Sequence, residues 1–438
     1  LSSPRESERG EKPLSLFYQR INASEENFSV SQKKGKNRGY LGVDVGSIST
    51  NLVVIDEEKK VLSKRYLMTA GRPIEAIKRG LKEIEEELGD GFKILGAGTT
   101  GSGRYLTGDF IGADVVRNEI TAQATASAYI DPEVDTIFEI GGQDSKYISL
   151  KNGAVVDFEM NKVCAAGTGS FLEEQAEKLG ISIKDEFGSL ALQAKSPVSL
   201  GERCTVFMES DLIHHQQRGA NKEDLVAGLC YSIVHNYLNK VVGKKRIGKR
   251  IFFQGGTAAN KGVVAAFEKV LGKQVTVPPH HEVTGAIGAA ILAMEEKEAG
   301  PSKFKGFDLS QREYQLSSFE CNGCPNMCEI RKLEVKGEKP LFYGGRCEKY
   351  EVERKKKDIS HIPDLFGERD KLLHQFEAKN ERLPSSAPTI GIPRVLFFYE
   401  FLPFWATYFN SLGFRVVLSD KTNKKLVRQG AETIVVET

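Results

Sequence analysis

Two cysteines stand where the chain turns into a helix. Cys164 lies in Val163-Cys164-Ala165-Ala166-Gly167-Thr168-Gly169-Ser170, and Phe171, Leu172, Ala176 and Leu179 then recur at helical spacing. A helix start is therefore predicted between Gly167 and Ser170, with Ser170 as its cap. Cys204 lies in Gly201-Glu202-Arg203-Cys204-Thr205, ahead of a second helical pattern from Val206 to His215. The free amides and macrodipole of a helix start favour a thiolate, and Arg203 beside Cys204 acts in the same direction. Two chains meeting across a two-fold axis, each giving both cysteines, would supply the four sulfurs of one [4Fe–4S] cluster at a dimer interface. Spacing alone leaves two buried structural cysteines as the alternative.

A second set of residues suits phosphate. Tyr40-Leu41-Gly42-Val43-Asp44-Val45-Gly46-Ser47-Ile48-Ser49-Thr50 reads as a strand running into a Gly-Ser-Thr turn, with Asn51 to Ile55 as the return strand. Such a turn presents amides and hydroxyls to a phosphate, and Asp44 can hold the water shell of Mg2+. The pattern returns where the strand Asp135 to Ile140 ends in Glu139-Ile140-Gly141-Gly142-Gln143-Asp144-Ser145-Lys146 before the strand Tyr147 to Leu150. Two such hairpins face to face would clamp one nucleotide. Ile251 to Gln254 then leads into Gly255-Gly256-Thr257, where glycines would let a planar adenosine lie on the backbone, and a helix runs on to Leu271. The glycine-rich Gly98 to Arg104 reads equally as an ordinary turn. Further on, Cys321-x-x-Cys324-x-x-x-Cys328 with Gly344-Gly345-Arg346-Cys347 has metal-ligand spacing, open between structural Zn2+ and a second [4Fe–4S] cluster.

Elements must position these groups. A third strand follows Asp56 to Lys60, then Ile74, Ile77, Leu81, Ile84 and Leu88 mark an amphipathic helix and Lys93 to Ala97 another strand. Asn118 to Tyr129 is a helix dense in small residues. Asp224 to Val242 is a helix with Leu225, Leu229, Ile233 and Tyr237 on one face, which makes Cys230 and His235 packing or surface residues. His214 and His215 read as a solvent-facing helix end, and Lys244 to Arg250 as a solvated turn. Gln274 to Val277 is a strand, and the small residues of Glu282 to Ala290, with Gly285, would pack closely on another helix between subdomains.

The 438 residues suffice for two to three domains, and a net charge of +2 gives no sequence-wide case for nucleic acid or a membrane surface. No apolar run reaches bilayer-spanning length, and no signal peptide is evident. Seven cysteines with metal-ligand grouping fit a reducing cytoplasm better than a disulfide framework. The expected divisions are a disordered arm over 1–38, an ATP-binding domain over 39–297, a Cys-rich metal module over 298–350, a charged linker over 351–387 and the start of another α/β domain over 388–438, the whole reading as a fragment of a longer polypeptide.

The span Tyr40 to Met294 resembles the BadF/BadG/BcrA/BcrD-type ATPases, the activators of 2-hydroxyglutaryl-CoA dehydratase and benzoyl-CoA reductase, within the actin, hexokinase and heat-shock-chaperone superfamily. The resemblance rests on Gly42-x-Asp44-x-Gly46-Ser47-x-x-Thr50, Gly141-Gly142-Gln143-Asp144, Cys164-Ala165-Ala166-Gly167-Thr168-Gly169, Gly201-x-x-Cys204 and Gly255-Gly256, in that order. It implies an α/β fold with two duplicated mixed-sheet subdomains, and a homodimer whose Cys164 and Cys204 hold one [4Fe–4S] cluster. It implies that ATP hydrolysis changes the angle between the two cluster helices and drives an electron, received from a ferredoxin or flavodoxin, to an acyl-CoA dehydratase or reductase partner. Asp44, Gly46, Ser47 and Thr50 would form the first phosphate loop. Glu139, Gly141, Gly142, Gln143 and Asp144 would form the second, Gln143 or Asp144 orienting water. Gly255, Gly256, Thr257 and Gly285 complete the nucleotide side. Where the superfamily usually has Asp, this chain has the longer Glu139, which alters its expected reach to magnesium or water. The C-terminal stretch resembles the domain that follows the ATPase in large fused activases. Two rival readings of the residues are a small-molecule kinase on the same fold and a non-catalytic, redox-sensing scaffold ATPase.

Overall fold

The computed structural model describes residues 13–16, 37–161, 165–201, 204–324, 326–335, 337–345, 347, 350, 363–375 and 380–433. They divide into two compact units, one ending at Arg312 and the other starting at Glu313.

The first unit contains one design twice. Its first half runs β1 (Arg38–Val45), β2 (Ser49–Ile55), β3 (Val61–Met68), α1 (Pro73–Leu88), β4 (Lys93–Thr100), α2 (Arg104–Ile111), β5 (Val115–Val116) and α3 (Glu119–Ile130). The second runs β6 (Thr136–Ile140), β7 (Ser145–Lys151), β8 (Ala154–Met160), α4 (Gly169–Leu179), α5 (Phe187–Gln193), α6 (Thr205–Gln217), α7 (Lys222–Tyr237), β9 (Ile251–Gln254), α8 (Lys261–Leu271), β10 (Val275–Thr276) and α9 (Thr284–Glu296). The sheets have matching orders, β3-β2-β1-β4-β5 and β8-β7-β6-β9-β10. In each, the first three strands form an antiparallel meander and the last two join in parallel. This is the duplicated, actin-like α/β architecture that the motifs imply.

Helix α1 buries Ile74, Ile77, Leu81 and Ile84, the predicted stripe, against β2 and β3. Helix α9 covers the other face of that sheet, so Leu52 to Ile55 of β2 are buried on both sides. Its approach is permitted by glycine: a Cβ at Gly42 would lie 1.9 Å from Ala286 O, and one at Gly288 1.8 Å from Ala122 O of α3. Gly42 thus serves helix packing and does not face a phosphate. The second sheet packs on aromatic rings, with Phe138 5.3 Å from Phe267 and 5.4 Å from Tyr237 between ring centroids.

Several expectations shift. Gly98 to Thr100 continue strand β4, so the glycine turn begins only at Gly101. The strand β8 has no counterpart in the expected pattern. Within the stretch read as a disordered arm, Leu14 is fully buried in the second-half core, and β1 already begins at Arg38. Residues 298–312 belong to the first unit: Ser302 Oγ donates to Asp114 Oδ2 at 2.6 Å, Lys303 N to Asp114 Oδ1 at 2.9 Å, and Leu309 is buried.

In the second unit, β11 (Tyr314–Glu320), β12 (Glu329–Val335) and β13 (Leu341–Tyr343) form an antiparallel sheet. The parallel strands β14 (Thr389–Ile392) and β15 (Arg415–Leu418) flank the aromatic helix Phe398–Ser411. Leu373, in a helix Leu365–Leu373 where a linker was expected, is buried with Phe398, Leu402 and Val416. No helix among the described residues is long and apolar enough to cross a membrane.

Candidate functional site

Each half folds its first hairpin around the same turn. Gly46 N donates to Ser49 O at 2.9 Å, and Gly141 N donates to Asp144 O at 2.9 Å. The turns face one another closely enough that a Cβ on Gly142 would lie 2.7 Å from the Ile48 side chain. Turn one is braced from behind: Thr69 Oγ1 donates to Gly46 O at 2.9 Å, lies 2.9 Å from Thr50 Oγ1, and Thr69 N donates to Ile48 O at 2.7 Å. A third wall forms where Gly255, at φ +91°, donates its amide to His281 O at 2.8 Å.

These three walls border a cleft that is open to solvent. Its walls include Asp44, Gly46, Ser47, Glu139, Gly141, Gly142, Gln143, Asp144, Gly255, Gly256 and Gly285. Thr50 is buried against Thr69, and Thr257 is buried in the 3-10 turn Gly256–Ala259; neither lines the cleft. Residues the motifs did not nominate complete it: Asn51, Tyr66, Ser102, Glu119, Gln123, Lys146, His281, Glu282 and Thr284.

The Asp44 carboxylate is wedged between two glycines. A Cβ at Gly101 would lie 2.4 Å from its Oδ1 and one at Gly285 2.1 Å from its Oδ2. Burial, then the Glu119 carboxylate, push Asp44 up to about 7, with Lys146 opposing and Glu139 adding to the rise. Glu139 sits directly across the hairpin from Lys146 and accepts from Lys146 Nζ at 2.8 Å, both side chains 7% exposed. Burial pushes Glu139 upward and works against the Lys146 charge, yet the adjacent carboxylate holds Lys146 above its ordinary range. At 2.8 Å the two groups form a salt bridge. Hairpin register alone could have found it, since a closed four-residue turn places the second residue before it opposite the second residue after it.

Buried amides join the halves. Gln123 Oε1 accepts from Gln254 Nε2 and from Thr284 Oγ1, each at 2.6 Å, and Gln254 Oε1 accepts from Ser127 Oγ at 2.9 Å. This chain of bonds ties α3, β9 and the start of α9 together beside Asp44.

Cys204 is exposed as the N-cap residue of α6, and its neighbours Val206 and Phe207 are 65% and 57% exposed while Met208 and Leu212 face inward. Cys164 lies outside the described residues. The helix after it is α4, whose N-cap is Thr168, not Ser170; the Ser170 hydroxyl instead donates to Gly142 O at 2.6 Å. Cys230 is buried in α7, where burial pushes its thiol up. His214 is exposed near the end of α6, and His215 Nε2 lies 3.2 Å from Ser199 O. In the second unit, Cys321 N donates to Cys328 O at 2.8 Å, closing the loop between β11 and β12. Among the described residues Cys321, Cys324, Cys328 and Cys347 form no disulfide, and Cys321 is buried. The Tyr350 hydroxyl is pushed up by its hydrogen bond to Cys321, and burial and the charges of Cys321 and Cys347 act the same way. Among the described residues, no three His, Cys, Asp or Glu side chains gather closely enough to hold a metal ion.

The model of the BadF/BadG/BcrA/BcrD ATPase family matches residues 41–293, which contain both turns and the adenosine-side glycines. The chain belongs to this family. It is an ATPase of the BadF/BadG/BcrA/BcrD type, and residues 389–438 match a CoA enzyme activase domain of uncharacterised role. The chain is 33% identical over 272 residues to the 2-hydroxyisocaproyl-CoA dehydratase activator of Clostridioides difficile, covering 60% of this chain and 98% of that one. It is 33% identical over 263 residues to the (R)-2-hydroxyglutaryl-CoA dehydratase activating ATPase of Acidaminococcus fermentans, covering 58% and 97%. A benzoyl-CoA reductase component of Thauera aromatica is 29% identical over 267 residues, covering 57% and 91%. The structure of the Clostridium difficile activator with bound ADPNP superimposes with a TM-score of 0.54 at 31% identity, covering 59% of this chain and 95% of that one.

Proposed function

We propose that this chain is an activator that couples ATP hydrolysis to delivery of a low-potential electron to a 2-hydroxyacyl-CoA dehydratase or benzoyl-CoA reductase type of partner. The names of its relatives support the partner class. The nucleotide phosphates lie between the turns Gly46–Ser49 and Gly141–Asp144, with adenosine against Gly255 and Gly256. Lys146 neutralises Glu139, so Asp44 is the buried carboxylate left to balance a cation. Among the described residues Asn51 Oδ1 has no partner and is buried in the same cleft, and an oxygen pair of this kind suits Mg2+. Mg2+ there would neutralise charge on the phosphates. Gln143 or Asp144 orients a water onto the γ-phosphorus; its bond to the ADP oxygen breaks, giving ADP and inorganic phosphate.

The donor chemistry of Cys204 fits a [4Fe–4S] cluster: it is an exposed thiol at a helix start, with an apolar rim that a second copy would cover. Cys164, and the same two residues of a second copy, complete the ligand set in this reading, and a ferredoxin or flavodoxin supplies the electron. The cluster would provide a one-electron, low-potential store. The chain contributes the thiols at the helix starts and the exposed apolar side chains of Val206 and Phe207 beside Cys204. Cys321, Cys324, Cys328 and Cys347 are proposed as a separate site for Zn2+ or a second cluster that would have to draw them together, since as placed no three of them gather closely enough to hold a metal; no step runs through it.

The observation that carries this reading is the exposed Cys204 and its apolar rim on a chain whose cleft is built for a nucleotide. The test is iron and acid-labile sulfide in anaerobically purified protein, with ATP turnover measured alongside. About two cluster irons per chain, lost in Cys204→Ser, are expected from one shared cluster, with about four more if the second site also holds one. No iron after anaerobic reconstitution, with ATP turnover intact, would leave an ATPase without electron transfer.

A further inference from the structure

Described residues before and after Cys164 in the chain, Asn161, Gly169 and Ser170, are bonded to turn two of the cleft. On the near side, Asn161 N donates to Ser145 O at 2.9 Å, Asn161 Oδ1 accepts from Ser145 N at 2.8 Å, and Asn161 Nδ2 donates to Gln143 O at 3.1 Å. On the far side, Gly169 N donates to Gly141 O at 2.9 Å, while Ser170 donates to Gly142 O through its amide at 2.8 Å and its hydroxyl at 2.6 Å. Gly169 has no room for a side chain there, since a Cβ would lie 2.8 Å from Gly141 O. The carbonyls of Gly141, Gly142 and Gln143 therefore all point to the flanks of this segment.

In a trans peptide the carbonyl of one residue and the amide of the next point in opposite directions. The amides of Gly142, Gln143 and Asp144 consequently face away from these partners, and their residues line the cleft. A phosphate accepting from those amides polarises the same peptide units and strengthens the bonds their carbonyls make. Turn one is wired differently: its Gly46 and Ile48 carbonyls are taken by Thr69, within its own sheet. One jaw of the clamp is braced, and the other is bonded to the cysteine segment.

We infer that Asn161 and Ser170 are positioning residues that transmit occupancy of the γ-phosphate position to the Cys164 segment. This rests on reading the cleft as the nucleotide site. The amide set, not the cluster, is the sender, so the effect is present whether or not iron is bound.

The experiment is amide hydrogen exchange over residues 165–172 in the full chain, purified anaerobically, with each protein saturated by ADPNP or by ADP. In the wild type, exchange is expected to be about tenfold slower with ADPNP than with ADP, the scale of one net hydrogen bond. Ser170→Ala and Asn161→Ala should bring the two nucleotides to within about twofold of each other, and Ser170→Thr, which keeps the hydroxyl, should restore most of the difference. Alanine variants that retain the full difference would overturn the inference, as would a wild type that binds both nucleotides and shows no difference. Failure of the wild type to bind nucleotide in a calorimetric titration would overturn the reading of the cleft itself, and is distinguishable from the other results.

Discussion

Lys146 is the residue that decides how the carboxylates of the cleft behave. Its ammonium is buried and committed to Glu139. Lys146→Met strands that carboxylate without a partner, and urea denaturation should show a loss of about 3–5 kcal/mol. Adding Glu139→Gln removes the stranded charge and should recover most of it. Among the described residues Asp44 has no such partner, which gives it a pH signature in the nucleotide-free protein. Its folded form holds a proton up to about 7, and its unfolded form only up to its ordinary 3.8. Between those values the folded state binds more protons, so the stability from this group is complete below the lower value and lost as pH rises through the upper one. Asp44→Asn should therefore gain on the wild type from pH 5 to pH 8, by a few kcal/mol, at roughly 1.4 kcal/mol for each tenfold change in proton affinity. A gap that stays flat across that range would refute the assignment.

At the scale of elements, α9 joins the cleft to the rest of the fold. It presents Thr284 and Gly285 to the site, and its middle lies on α3 with no space between backbones at Gly288. Gly288→Ala must push α9 off α3, at a cost of about 1–3 kcal/mol or more. Because the same helix shapes the site, the rise in melting temperature caused by ADPNP should shrink as well. The small-residue stripe of α9 was readable as close packing, and so were both turns, because glycines and periodic apolar residues carry that information locally. Strand β8 was not readable, since Val155, Val156 and Phe158 are all exposed and show no inward-outward alternation. Lys146 falls outside the motif and is legible only through the register of the hairpin, which pairs it with Glu139. Gly42 and Thr50 sit inside phosphate-type motifs yet serve packing and bracing, which a motif cannot distinguish from contact. The helix Leu365–Leu373 passed for linker because Leu373 is its buried residue amid charges.

For the whole molecule, the boundary of the first unit has a direct consequence. Residues 298–312 bury Phe307 and Leu309 and cap Asp114. A chain ended after Arg312 should melt several degrees above one ended after Lys297, as the loss of two buried apolar side chains requires; equal melting would place the boundary at the earlier position. The duplication has another consequence. Asp44 faces Asn51 across the first hairpin, and Glu139 faces Lys146 across the second. The two halves match in shape, but the facing pair of one hairpin is electrically balanced and that of the other holds an acid opposite an amide. A triphosphate with its metal is itself lopsided, so a duplicated container offers it a single polarity: bare oxygens toward the pair that holds Lys146, cation toward Asp44. The asymmetry that gives a symmetric fold its direction resides in one pair of facing residues.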